Sequence, residues 1–220
     1  MSDEIQRVYK FYGADRALDN LSKYRLKVST LADLNDPFEF RSFVIPHPVT
    51  RAAWEKMRTQ LFEGKGIICF CKSWDNPVIW SHYADNHRGI ALGFDIPSKL
   101  LLPVKYRKIR APFPNISTIS VQSATTHIKN TMATKFVHWE YENETRVFVD
   151  ANEACSKTGL YFKSFDEDLV LKEVIIGPNS AVSSEELEKT TDLTGVRIVT
   201  SRLAFKSYRV IKQRKHDLQK

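Results

Sequence analysis

Two apolar runs of strand length, residues 67–71 and 90–94, enclose a short stretch that is far more polar than a core connection needs to be. Asn76 stands ready to cap a helix whose first residue is Pro77, where the missing N–H costs nothing. Gly89 marks the end of that helix region before the second strand. Between the strands lie Trp74, Trp80, His82, His87, Tyr83, Asp75, Asp85 and Arg88, a density of polar chemistry that predicts a cleft at this point. Any fold for the chain must therefore bring two core strands together around a helix and leave one side open.

The rest of the chain reads as further strands and helices that do not alternate strictly. Strands are expected at 8–12, 26–30, 104–106, 145–149, 160–163, 170–176, 196–200 and 208–211. Helices are expected at 15–24, at 50–62 capped by Thr50, at 121–139, and from Ser183 to about residue 193, where Ser183 and Glu186 make a capping box. Residues 110–117, with two prolines, read as a surface loop. Clustered strands predict a single α+β domain with a mixed or antiparallel sheet flanked by several helices, rather than a doubly wound one.

The chain has 220 residues and a net charge of +7. From Arg202 onward there are seven basic residues (Arg202, Lys206, Arg209, Lys212, Arg214, Lys215, Lys220) against Asp217 alone, leaving about +1 for the body. The division is thus a domain over 1–205 and a basic tail over 206–220. That tail is either a solvated end or an arm that contacts nucleic-acid phosphates. No apolar run approaches a membrane span, the first residues lack the order of a signal peptide, and three cysteines suit a reducing compartment, so the expected location is cytoplasmic, with no membrane partner.

Two polar clusters are candidates for chemistry. Asn35, Asp36 and Glu39 surround Pro37, as a tight turn or as a substrate-holding loop. Glu140, Glu142 and Glu144 would line one face if extended, beside Lys135 and Arg146. That row is either a neutralised rim or the source of a catalytic carboxylate. His82 reads either as a buried hydrogen-bonded histidine or as an acid–base group. Trp80 and Tyr83 read as core aromatics or as rings that stack on a base. The five-residue spacing of His82 and His87 does not suit a helical metal pair, and Cys69 and Cys71 lack a second pair, so no metal is expected. Ser81 has no glycine-flanked elbow around it.

Several segments together carry a resemblance. They are residues 9–12 (Tyr-Lys-Phe-Tyr), 34–39 (Leu-Asn-Asp-Pro-Phe-Glu), Cys69-Phe70, 79–89 (Ile-Trp-Ser-His-Tyr-Ala-Asp-Asn-His-Arg-Gly), Gly93-Phe94, Lys135, 139–146 and Val174-Ile175-Ile176-Gly177. In this order they resemble the domain of unknown function 2971 family, a bacterial family whose activity is largely unassigned; Ile79 stands where that pattern has Met. A role in bacterial stress or phage defence is what the resemblance makes conceivable. The plan of an early strand with Tyr9-Lys10, a following strand with Ser29 and a late strand bearing glutamates is similar to ADP-ribosyltransferases. That similarity implies NAD as substrate, Lys10 on the diphosphate, Tyr9 and Ser29 around the nicotinamide ribose, and Glu144, with Glu142 as rival, as the catalytic carboxylate. The superfamily usually has His or Arg where Lys10 stands. The alternative is a nucleic-acid-binding effector module with the basic tail as its arm and Trp80, Tyr83 and His82 as a stacking platform. A metal-independent nuclease built on His82, His87 and Glu39 is a variant of it.

Overall fold

The computed structural model describes residues 4–115, 120–151, 153–215 and 218–219. The elements in order are β1 (Ile5–Tyr12), α1 (Ala14–Ser22), β2 (Arg25–Val28), β3 (Phe43–Val44), α2 (Pro48–Leu61), β4 (Lys65–Cys71), α3 (Pro77–Tyr83), β5 (Ile90–Pro97), β6 (Leu102–Pro103), β7 (Lys105–Arg107), β8 (Ala111–Pro112), α4 (Val121–Met132), β9 (Thr134–Phe136), β10 (Glu144–Asp150), β11 (Tyr161–Ser164), β12 (Val170–Ile176), α5 (Ser184–Thr190), β13 (Arg197–Leu203) and β14 (Val210–Lys212). Eight strands form one mixed sheet in the order β14-β13-β12-β5-β1-β4-β10-β6. Only β12 and β13 run parallel within it, joined by the crossover through α5 that a parallel pair requires. The fold is α+β.

Alternation along the central strands sorts the apolar side chains onto two faces. Val8, Phe70, Leu92, Phe94, Val174 and Ile176 turn to one face, where Ala17 and Leu21 of α1 and Leu187 of α5 cover them. Phe11, Ala91, Ile175 and Val199 turn to the other, where Ile79 and Trp80 of α3 close the core. Trp80 is wholly buried; its ring meets Phe11 edge-on at 5.0 Å and its indole N–H donates to the Trp74 carbonyl at 2.5 Å. The core reading of Trp80 therefore holds, and the stacking-platform reading is corrected: a ring enclosed on all sides has no face to offer a base.

The helix expected after Asn76 forms, and its cap has two duties. Asn76 Oδ1 accepts from the Val78 N–H at 2.9 Å, and its Nδ2 donates to the Tyr141 carbonyl at 2.9 Å. Asn76→Ala is expected to cost about 1–2 kcal/mol in urea unfolding, the upper part of the range for a lost N-cap. Asn76→Asp retains the cap but sets a carboxylate oxygen against the Tyr141 carbonyl in place of the amide donor, so it should recover only part of the loss. Equal losses in the two variants would show that the cap contributes little. Past α3 the chain turns through Asp85, Asn86 and His87, all at positive φ, onto Gly89. A Cβ at Gly89 would lie 2.0 Å from the Tyr12 carbonyl oxygen, so only glycine lets this turn close against β1.

Several boundaries differ from those expected. The second helix begins at Pro48 with His47 as its N-cap, because Pro48 is pre-organised for the first turn; Thr50 lies inside it. The helix expected over 121–139 ends at Met132. Lys135 is instead carried by a strand that pairs in parallel with β7, which aims its ammonium into a buried carboxylate cluster. Residues 110–117 are not wholly a loop, since Ala111–Pro112 pairs with Phe43–Val44; residues 116 and 117 lie outside the described residues. β14 falls within the segment read as a basic tail. Val210 is buried and Arg209 pairs with Asp75, so the boundary at residue 206 is not a boundary of the fold. Residues 216, 217 and 220 of that tail are outside the described residues. No helix among the described residues is long and apolar enough to cross a membrane.

Candidate functional site: a carboxylate cavity at a strand fork

One edge of β4 meets two different strands. Near its end Cys71 pairs with Tyr9 of β1, and further back Ile67 exchanges two backbone hydrogen bonds with Ser29, just past β2. Between these two points β1 and β2 diverge, and no strand among the described residues pairs with β4 along that edge. The Cys69 carbonyl accepts instead from the Lys10 ammonium at 2.9 Å, so a side chain replaces the missing strand. A cavity of about 200 Å³ opens in this fork. Tyr9, Lys10, Ser29, Asn35, Glu39, Tyr83, Glu142 and Glu144 are among its walls, with Cys69 and Cys71. Eight of the eleven residues singled out by sequence thus converge here from five separate parts of the chain. Asp36, Trp80 and His82 do not line it.

Behind the cavity is a buried cluster of three carboxylates and two cations: Glu39, Glu142, Glu144, Lys135 and Arg146. Lys135 Nζ is 2.6 Å from Glu142, 3.1 Å from Glu144 and 3.4 Å from Glu39. Arg146 donates through Nε to Glu144 at 2.7 Å, through Nη2 to Glu39 at 2.8 Å, and through Nη1 to the Met132 carbonyl at 2.9 Å. Burial alone would raise the Glu144 carboxyl, but Arg146 and Lys135 outweigh it and hold it down to about 2. Burial dominates at Glu39, and the same two cations offset it only in part, so its carboxyl is raised. Burial also pushes up the Cys69 and Cys71 thiols, which keeps them protonated and poor nucleophiles.

The cluster carries one more negative charge than positive, and the partners show which oxygens retain acceptor capacity. Glu144 receives three hydrogen bonds from the two cations. Glu142 receives one from Lys135, and its other oxygen is held by the Tyr83 hydroxyl, which in turn accepts from Asn35 Nδ2 at 2.8 Å. Each carboxylate oxygen can accept about two hydrogen bonds, so Glu142 retains capacity for a ligand that Glu144 has largely spent. Glu39 has its Oε1 on Arg146, while its Oε2 is buried without a partner.

The other expected residues resolve as follows. The three glutamates do not form an extended row: Val137–Glu142 is a 3-10 helix closed by Asn143 in the left-handed region. That turn leaves Glu140 in solvent and buries Glu142 and Glu144. Asp36 makes the tight turn, accepting from the Phe38 N–H at 2.9 Å. The Tyr9 hydroxyl is taken by Glu173 at 3.0 Å, so only its ring frames the cavity. His82 is exposed rather than buried and stacks on Tyr141 at 5.8 Å, because it lies on the outer side of α3. His87 Nε2 is 3.0 Å from Ser81 Oγ, but its Nδ1 has no partner, so no acid orients the pair. Neither histidine lines the cavity that Glu39 lines, and the nuclease trio is not assembled. No group of His, Cys, Asp and Glu among the described residues could hold a metal ion. Sequence reading noted Lys135 and Arg146 only as neutralising charges; their burial together is what organises the site.

The Glu144 acidity has a measurable consequence. Its folded value lies below the ordinary 4.5, so its stabilising contribution is complete above about 4.5 and is lost as pH falls toward about 2. Glu39 has the opposite sign, and acidification relieves the cost of its buried charge. Urea unfolding between pH 5 and pH 2.5 should show a falling stability whose slope is shallower in Glu144→Gln. Identical slopes would mean that Glu144 is not held ionised by its neighbours.

Fold and site together define an α+β protein with an acidic, cation-braced cavity at a fork in its main sheet. No protein-family model matches the chain, and neither curated proteins nor solved structures show a significant match to it.

Proposed function

We propose that the protein is an ADP-ribosyltransferase-like enzyme that breaks the N-ribosyl bond of NAD and passes ADP-ribose to a nucleic acid, a protein or water. Membership in the domain of unknown function 2971 family belongs to the same proposal and rests on the segments quoted above. The observation that carries the reading is Glu142: a cavity-lining carboxylate, fixed by Tyr83 and Lys135, in a cluster with one negative charge to spare. When the C1′–N bond breaks, its electron pair leaves with nicotinamide and positive charge spreads over C1′ and the ring oxygen. A fixed carboxylate beside that charge stabilises the transition state. We assign this role to Glu142 rather than Glu144, whose oxygens are occupied by cations. Glu39 is assigned to take the proton of the attacking nucleophile, since burial raises its carboxyl above the ordinary range and its Oε2 has no partner. At about 200 Å³ the cavity is smaller than the ~300–1,000 Å³ usual for whole ligands, so it suits the nicotinamide riboside half, framed by Tyr9 and Ser29. Lys10 remains our assignment for the diphosphate, by releasing the Cys69 carbonyl.

One observation favours a second reading, a nucleic-acid-binding module. Between β13 and β14, Phe205 and Tyr208 are 92% and 97% exposed, and Arg202 lies 4.8 Å over the Phe205 ring. Exposed rings among cations are the usual means of holding single strands.

Incubation with millimolar NAD tests the first reading through free nicotinamide and a thermal shift. Release by the parent protein and by Phe205→Ala/Tyr208→Ala, but not by Glu142→Gln, supports it. Absence of both release and shift overturns it.

A further inference from the structure

The ribbon formed by β7 and β9 separates two cavities of opposite character. Their register sets Tyr106 opposite Lys135 and Arg107 opposite Phe136. Tyr106 and Lys135 face the carboxylate cluster, where the Tyr106 hydroxyl accepts from the Glu144 N–H at 2.7 Å and Lys135 pairs with the glutamates. Alternation then turns Arg107 and Phe136 to the opposite side. There a second cavity of about 230 Å³ is lined by Arg107, Lys108, Arg110 and Arg41, with Phe38 and Phe136, and Lys135 of β9 borders both cavities. No carboxylate among the described residues lines it.

Three features of this cavity point to one class of ligand. Arg107 and Lys108 make no ion pair among the described residues, so their charge is not used within the fold. Arg41 is neutralised by Glu55 and also donates to the Pro37 carbonyl at 2.6 Å, so it frames the cavity and leaves Arg107 and Lys108 as its cations for a ligand. Phe38 and Phe136, 54% and 42% exposed, are large apolar rings beside these cations, and Arg110 already lies 4.7 Å over Phe38. Cations suit phosphate oxygens, and the rings suit the flat face of a base.

We propose that this basic cavity is a nucleotide-binding site, taking phosphate on Arg107 and Lys108 and a base against Phe38 or Phe136. The ligand is either a free nucleoside diphosphate or one unit of a single strand. The site does not depend on the reaction proposed for the fork cavity, and it is separate from the hairpin that carries Phe205.

Calorimetric titration tests it with ADP, inorganic pyrophosphate and a short single-stranded oligonucleotide. The parent protein, Arg107→Glu/Lys108→Glu, Phe136→Ala and Phe205→Ala/Tyr208→Ala are compared. ADP binding is expected to weaken at least about 10-fold in the charge-reversed variant, and for the oligonucleotide log Kd against log salt should become shallower by about 0.7 for each phosphate the protein no longer neutralises. Phe136→Ala should weaken ADP while leaving pyrophosphate unchanged. The Phe205/Tyr208 variant should bind ADP as the parent does. Tighter binding of the oligonucleotide than of ADP identifies a strand as the source; the reverse identifies a free nucleotide. No ADP or oligonucleotide binding by the parent, or binding unaltered in the charge-reversed variant, overturns the proposal. Thermal melting shows that the variants are folded, and nicotinamide release from NAD is scored separately, so failure here leaves the fork-cavity reading to its own test.

Discussion

Replacing Arg146 by methionine is expected to lower the unfolding free energy by about 3–5 kcal/mol, the cost of stripping one partner from a buried ion-pair network. Arg146 is fully buried and holds Glu144 and Glu39 at once. Without it, three buried carboxylates share Lys135 alone. Methionine fills much of the volume and can still pack against Phe40, so the loss reports charge more than cavity. Two further results follow from the same electrostatics. The glutamates freed from Arg146 will have higher folded pKa values, so the deficit should shrink as pH falls from about 8 toward about 5, because protonation removes the uncompensated charge. A second replacement, Glu144→Gln, should restore part of the stability, which a double-mutant cycle in urea would resolve. A deficit below about 1 kcal/mol with no pH dependence would show that the cluster is not a network.

Glu142→Gln should behave in the opposite way, with a large effect on turnover and a small one on stability. The substitution removes one of the three carboxylates and leaves two with two cations, so the buried charge becomes balanced. The amide oxygen can still accept from Tyr83 or Lys135. Thermal melting should therefore shift little. Nicotinamide release from NAD should fall on the order of 10²–10³-fold, the loss typical when one electrostatic stabiliser of a transition state is removed. Glu144→Gln inverts the pattern: it leaves Arg146 and Lys135 short of partners, so stability drops more than in Glu142→Gln. If turnover instead survives Glu142→Gln and is abolished in a folded Glu144→Gln, the carboxylate roles assigned here are reversed.

The contrast between these two glutamates shows how far the sequence could be read. Local signals were explicit wherever one short-range interaction decides the outcome. Asn76-Pro77 marked the start of α3, Ser183 the cap of α5, and the apolar runs marked β4, β5 and β12. Residues 9, 10, 29, 35, 39, 83, 142 and 144, named as site candidates from polar clusters and the overall plan, line one cavity, whereas Asp36, Trp80 and His82 from the same set do not. Signals failed where a distant partner overrides local preference. Helical periodicity runs through 121–139, yet Lys135 leaves the helix for a strand because its ammonium is stabilised by three glutamates from elsewhere in the chain. The glutamates at 140, 142 and 144 have the spacing of one strand face, yet a 3-10 turn and a left-handed Asn143 divide them between solvent and core.

The sequence by itself determined the α+β class, most strands of the central sheet and the pool of residues from which a site could be built. Each of these follows from hydrophobic periodicity, capping or the side chain's own chemistry, which act within a few residues. Only the tertiary structure decided that β1 and β2 diverge on one edge of β4, that Glu142 rather than Glu144 has acceptor capacity to spare, and that a ribbon divides an acidic cavity from a basic one. Those outcomes depend on charges brought within about 3–4 Å across long stretches of chain, where low dielectric makes each pairing strong and no spacing along the sequence encodes it.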